Sequence, residues 1–269
     1  MTIPPNSEPA IELVVEPAIE FDHASFRVNG RLLLSDFSLS MNSGETLVLL
    51  GRSGSGKTTT LKLINRLLVP TSGEVRVNGR ATTSWDPIRL RRGIGYVIQD
   101  GGLFPHFTVE RNIALVPTIE NWPRDRVEAR VKELLTAVGL NADLASRYPN
   151  QLSGGQRQRV GVARALAADP PILLLDEAFG ALDPITRSEM QKEFRSLQRR
   201  LRKTVIFVTH DLREALLLAD RIALMEDGHL VVNLPVAEFS RSPDPLVRAY
   251  LEAFSGLSDP QQDNQRPTR

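Results

Sequence analysis

The chain has 269 residues, 41% hydrophobic and 24% charged, an ordinary globular composition long enough for one large domain or two small ones. A net charge of +1 supplies no bulk electrostatic pull toward nucleic acid or an anionic membrane surface, and the lack of cysteine excludes disulfides, thiolate metal sites and cysteine nucleophiles. The four histidines, His23, His106, His210 and His229, show no metal-site spacing. No apolar run approaches a membrane span, and residues 1–9 carry no signal-peptide pattern, so the expected location is the cytoplasm.

In chain order, residues 1–16 are proline-rich and read as a loose tail. Strand patterns over 18–28 and 31–41, joined by Asn29-Gly30, predict a hairpin, and Asn42-Ser43-Gly44 a turn. The apolar run Thr46-Leu47-Val48-Leu49-Leu50 predicts a strand. It leads into Gly51-Arg52-Ser53-Gly54-Ser55-Gly56-Lys57-Thr58-Thr59, which has the phosphate-loop spacing Gly-x-x-x-x-Gly-Lys-[Ser/Thr]. A helix over 60–68 follows, with Leu61, Ile64, Leu67 and Leu68 on one face. Strand, glycine-rich loop and helix are the context this motif requires. Its glycines let backbone N–H groups approach phosphate oxygens without a Cβ in the way, and the helix N-terminus completes an anion cradle. Lys57 is suited to the β- and γ-phosphates and the Thr58 hydroxyl to Mg2+.

Farther along, a strand over 74–77, the turn Asn78-Gly79, a short basic helix over 88–92 and a buried strand over 95–99 are predicted. A loop over 101–108 precedes a helix over 109–115, ended by Pro117. Residues 124–138 form an amphipathic helix with Val127, Val131, Leu134, Leu135 and Val138 on one face. Ser153 caps a helix running through 168. The apolar run Ile172-Leu173-Leu174-Leu175 predicts a strand buried on both faces. A helix over 185–201, a strand over 205–208, a helix over 212–219, paired strands over 222–225 and 230–233 and a last helix over 245–254 complete the pattern, before a polar tail over 255–269. This alternation predicts an α/β fold: a P-loop core of mostly parallel sheet, an antiparallel β edge, and a helical insert over about 108–161 within a single domain spanning 17–254.

Two further segments carry chemistry. Asp176 and Glu177 follow the run 172–175, at the carboxyl end of a strand, where α/β sheets bind ligands; Asp176 is suited to Mg2+ and Glu177 to polarising an attacking water. Leu152-Ser153-Gly154-Gly155-Gln156 opens a helix with a hydroxyl and two glycines, a second anion-binding N-terminus or an ordinary serine cap.

With these five residues the sequence resembles the ATP-binding cassette (ABC) ATPases, whose signature motif they match in full. The resemblance implies a P-loop ATPase that binds ATP and Mg2+ and pairs head to tail with a second copy, so that Ser153, Gly154, Gly155, Gln156 and Asp183 act in trans. It implies that Gln99 touches Mg2+ and the attacking water, that His210 contacts the γ-phosphate, and that Phe26 lies where the family stacks an aromatic ring on adenine. Gly51 through Thr59 would hold the phosphates, Thr58, Gln99 and Asp176 the metal, and Glu177, His210 and Gln99 the catalytic roles. One departure is Ala178, where the family commonly has proline.

Over residues 19–254 the chain is similar to the ATPase subunits of glycine betaine, choline and carnitine importers, notably at 58–67, 70–73, 90–92, 93–99, 103–106, 112–117 and 181–187. That likeness implies transmembrane permease subunits, contacted near Phe104 and Phe107, a substrate-binding protein as indirect partner, and a peripheral place on the cytoplasmic face of the inner (plasma) membrane. No nucleic acid partner is expected, nor a C-terminal regulatory domain. The alternatives are import of another amine or an amino acid, and a soluble cassette ATPase outside transport.

Overall fold

The computed structural model describes residues 16–256. The tails expected over 1–16 and 255–269 lie outside it except for their innermost residues, and the last helix continues two residues past 254. In the strands at the centre of the molecule, consecutive side chains point to opposite faces and both faces are apolar. Val48 and Leu50 enter one hydrophobic cluster and Leu47 and Leu49 another; Leu173 and Leu175 part in the same way from Ile172 and Leu174, and Val205 and Phe207 from Ile206 and Val208. A sheet buried on both sides follows from that pattern.

The elements in order are β1 (Ile19–Val28), β2 (Arg31–Met41), β3 (Thr46–Leu50), α1 (Lys57–Ile64), β4 (Ser72–Val77), β5 (Arg80–Ala81), α2 (Pro87–Arg92), β6 (Ile94–Val97), α3 (Val109–Ile119), α4 (Arg124–Ala137), α5 (Gly154–Leu166), β7 (Ile172–Asp176), α6 (Pro184–Leu201), β8 (Thr204–Thr209), α7 (Leu212–Leu218), β9 (Arg221–Glu226), β10 (His229–Pro235), α8 (Val236–Phe239) and α9 (Pro245–Gly256). Strands β6, β7, β8, β3 and β9 run parallel, and β10 closes the edge antiparallel to β9, giving the order β10-β9-β3-β8-β7-β6. A second, antiparallel sheet has the order β2-β1-β4-β5 and covers one face together with α1. Helix α2 packs on that same face through Leu90, and helices α3 to α9 cover the other. Between β6 and β7 no strand occurs among the described residues, and α5 continues past 161 back onto the sheet.

Two helix boundaries differ from the sequence expectation. Helix α1 stops at Ile64 rather than 68, because Arg66 turns left-handed at φ 54° and the Arg91 guanidinium donates to the Asn65 and Arg66 carbonyls, at 3.2 and 2.7 Å. Helix α3 does not end before Pro117 but carries it. The proline gives up one backbone donor, yet it is buried and the turn recloses beyond it through Glu120 N–H donating to Val116 O at 2.9 Å.

The link between the helical arm and the sheet is close. An added Cβ at Gly95 in β6 would lie 2.4 Å from the Ala165 carbonyl of α5 and 2.5 Å from Leu173 Cδ2. Gly95→Ala is therefore expected to destabilise the protein by about 1–3 kcal/mol, read from the urea midpoint at unchanged slope.

Candidate functional site

The glycine-rich loop leaves β3 at its carboxyl end and enters α1 through Gly56, at φ 100°. An added Cβ would strike the Met225 carbonyl at 2.4 Å from Gly51 and the Leu33 carbonyl at 2.8 Å from Gly56, so the loop lies close on neighbouring backbone. Lys57 folds back into it, donating to the carbonyls of Gly51 and Arg52, both at 2.8 Å. Burial pushes the ammonium below its ordinary pKa, against the opposing pull of Glu177 and Asp176. The loop, Thr58, Thr59, Glu177, and Arg31 and Leu33 from β2 line a cleft of about 310 Å³.

Asp176 ends β7, 8% exposed. The Thr58 hydroxyl donates to its Oδ1 at 3.0 Å and the Tyr96 phenol to its Oδ2 at 3.2 Å. Burial nonetheless holds its carboxyl above the ordinary carboxylate pKa, and burial likewise raises that of Tyr96. Glu177 follows with φ 46°, a left-handed conformation that a side chain of this size adopts at a cost of about 1–3 kcal/mol. Its N–H donates to Val208 O at 3.1 Å, and its carboxylate lies 3.7 Å from His210 Nδ1. Ala178, next in line, is buried, and Gly180 N–H closes a turn onto the Glu177 carbonyl at 3.1 Å.

The Ser153 end of α5 stands apart. Ser153 and Gln156 form a reciprocal cap: Gln156 N–H donates to Ser153 Oγ at 3.2 Å, and Ser153 N–H donates to Gln156 Oε1 at 2.9 Å. Ser153 and Gly154 are exposed, while Gly155 is buried against Thr186 of α6. None of these four residues lines the cleft at the glycine loop.

Residues 34–180 match the family model described as ABC transporter. The chain belongs to the ABC transporter family. Among curated members of that family, it is 48% identical over 227 residues to the glycine betaine/carnitine/choline transport ATP-binding protein OpuCA of Bacillus subtilis, covering 84% of this chain and 59% of that protein. It is 48% identical over 233 residues to the glycine betaine uptake system ATP-binding protein YehX of Escherichia coli, covering 86% of this chain and 76% of that one. The chain thus spans less than two thirds of the length of OpuCA. Among solved ABC structures, a dimer of the cassette MJ0796 in a post-hydrolysis state, bound to ADP and Pi, superposes with TM-score 0.73 at 33% identity, over 81% of this chain and 98% of that one. The fold is that of an ABC cassette, an α/β core with an antiparallel sheet and a helical arm.

The structure gathers some of the expected residues of this ABC chain and separates others. Gly51 to Thr59, Asp176, Glu177 and His210 converge at the carboxyl ends of β3, β7 and β8. Gln99 begins a tight turn after β6, exposed, and does not line the cleft. Asp183 caps α6, accepting from Thr186 N–H at 3.1 Å, which holds its carboxyl below the ordinary pKa. Phe26 lies opposite Leu34, half-buried on the core, and is not among the residues lining the cleft. Register shifts on either side of Phe26 break the strand's alternation, and the side chains that reach the cleft from the hairpin are Arg31 and Leu33.

Tyr96 was not singled out in the sequence, although it lies within the predicted strand 95–99. Its contact with Asp176 depends on β6 pairing with β7, which no local pattern states. Tyr250 of α9 also went unnoticed; with Arg52, Ser53 and His210 it lines a second cleft of about 380 Å³.

The raised pKa of Asp176 has a signed consequence. The folded chain binds this proton more tightly than the unfolded chain, so stability falls as the pH rises through the window above the ordinary carboxylate value. Asp176→Asn is expected to raise the denaturant midpoint of the nucleotide-free protein at neutral pH. The gain should narrow as the pH is lowered into the ordinary carboxylate range. A lower midpoint at neutral pH would contradict this.

Proposed function

We propose that this chain is the ATP-hydrolysing subunit of an importer that energises uptake of quaternary ammonium osmoprotectants such as glycine betaine, choline or carnitine. The observation that carries the reading is the joining of the glycine loop to Asp176, Glu177 and His210 at one edge of the sheet, with the Ser153 helix end exposed elsewhere. A site divided in this way is completed by a second copy placed head to tail. The solved MJ0796 cassettes are dimeric, which supports pairing with a second copy.

In this reading the amides of 51–59 cradle the phosphates of ATP, and Lys57 exchanges the Gly51 and Arg52 carbonyls for phosphate oxygens. Thr58 and Asp176, two hard oxygen donors already in contact, would hold Mg2+ together with Gln99. Among the described residues no group of three or more His, Cys, Asp or Glu could hold a metal, so the phosphates themselves would complete such a site. Bound Mg2+ would neutralise charge on the β- and γ-phosphate oxygens. Glu177 orients the attacking water and accepts its proton, and His210 contacts the γ-phosphate beside it. Ser153, Gly154, Gly155, Gln156 and Asp183 of the second copy close over the same phosphate.

The permease would dock at the aromatic cluster of Phe104, His106 and Phe107. Phe104 is 42% exposed, and its ring centroid is 5.4 Å from that of Phe107. Asn112, fully buried, pins this loop by accepting from Phe104 N–H and donating to the carbonyls of Phe104, Phe107 and Thr108. No helix among the described residues is long and apolar enough to cross a membrane. The membrane part of the importer is assigned to the permease, with this chain peripheral on the cytoplasmic face of the inner (plasma) membrane and a substrate-binding protein as indirect partner. The solute class is supported by the names of the relatives.

Glu177→Gln is expected to keep ATP binding while lowering turnover by about 100-fold or more and trapping a closed dimer, measured by steady-state hydrolysis and size-exclusion chromatography. Parental turnover would remove Glu177 from its role. In mixed dimers, Ser153→Ala on one copy should impair hydrolysis at the other copy's glycine loop; indifference would contradict the head-to-tail site. Uptake of labelled glycine betaine, choline and carnitine in a strain lacking the chain tests the solute. Uniform retention of all three would point to another amine or an amino acid.

A further inference from the structure

On helix α6, Arg187 and Gln191 stand one turn apart and reach the segments that follow β7 and β8. The Arg187 guanidinium donates to the carbonyls of Phe179 at 3.2 Å, Gly180 at 2.9 Å and Leu182 at 3.0 Å, clamping the segment between Glu177 and Asp183. One turn on, Gln191 Nε2 donates to Oε1 of Glu214 at 2.9 Å. Glu214 lies on α7, only 3% exposed. Its other oxygen accepts from the Thr209 hydroxyl. Thr209 ends β8, and its Oγ1 accepts in turn from Asp211 N–H at 3.0 Å. This hydrogen-bonded chain therefore holds the residue before His210 and the residue after it.

An acid in this place is costly. Burial raises the pKa of Glu214, Asp211 adds to the rise, and Arg187, Thr209 and Gln191 oppose it. A leucine would fill the space without a desolvated carboxyl. The acid supplies two acceptors that fix a hydroxyl and an amide in one geometry.

We infer that Gln191, Glu214 and Thr209 form a positioning strut that aims His210 and joins its turn to the helix whose Arg187 holds the segment after Glu177. The inference rests on the hydrolysis reading above, and it assigns positioning roles to residues that do not touch the nucleotide. Because α6 carries both the clamp and the strut, a shift of its N-terminus on pairing with a second copy reaches Glu177 and His210 together.

The test exchanges the strut's polarity in the purified full chain. Gln191→Glu places a second carboxylate against Glu214; kcat is expected to fall about 10-fold or more while nucleotide affinity, read by equilibrium binding of ATP, stays within about twofold. Adding Glu214→Gln restores both bonds in the reverse sense, since the new amide donates to the new carboxylate and its carbonyl oxygen still accepts from Thr209. The double variant is expected to recover to within about threefold of the parent. Should Gln191→Glu fail to fold, Thr209→Val removes both bonds of the hydroxyl, the one it donates to Glu214 and the one it accepts from Asp211 N–H, without adding charge, and the same split between kcat and affinity is expected. Parental kcat in the folded single variants, or no recovery in the double, overturns the strut. A parent chain that does not hydrolyse ATP overturns the hydrolysis reading and the strut with it; an active parent with indifferent variants overturns the strut alone.

Discussion

The hydrogen bond from the Thr58 hydroxyl to Asp176 Oδ1, 3.0 Å long, joins residues 118 positions apart, and the rest of the site is arranged around it. It requires β3 and β7 to end level with each other although β8 lies between them. The registers provide this: Leu50 pairs with Thr209 and Asp176 with Val208, so the glycine loop, the two acids and His210 leave the sheet along one edge. The registers in turn are held by burial on both faces, because a slip of one residue would exchange the side chains of the two hydrophobic clusters.

That edge is assembled at the expense of stability. Lys57, Asp176 and Glu214 are all buried, and for each of them burial is the largest cause of a shift toward the neutral form. Glu177 occupies a left-handed backbone conformation. The Lys57 ammonium donates to the loop carbonyls of Gly51 and Arg52. Groups placed in this way would gain most from a ligand of opposite charge, so an anion or cation bound at this edge would add to stability.

What was legible in the sequence was what is contiguous. The strand Thr46–Leu50 and the run ending in Asp176 were readable because their unbroken apolar character and length are local, and the loop from Gly51 to Thr59 because Gly51, Gly56, Lys57 and Thr58 fall at fixed spacing within one short segment. Tyr96, Arg187 and Glu214 were not, since their partners are decided by strand order and by which face of α6 turns inward. Phe26 shows the converse. The family resemblance implies a ring on adenine at this position; register shifts adjoin it, and the ring packs half-buried on the core. The end of α1 was misplaced because the cap comes from Arg91, a residue remote in the chain.

The helical arm is bound through glycine to the turn that follows β6. The Gly101 and Gly161 backbones approach so closely that a Cβ at Gly161 would lie 3.1 Å from Gly101 Cα, and Arg164 donates to the carbonyls of Gly101 and Gly102 at 2.9 and 2.7 Å. Helix α5, with Ser153 at its N-terminus, is thereby fastened to the turn that begins at Gln99 and leads into the aromatic loop at Phe104. These contacts are short, directional and made to backbone, so the position of the turn that leads into the aromatic loop is fixed relative to α5. The exposed Ser153 end and the exposed Phe104 surface are thus the two ends of one backbone-linked segment.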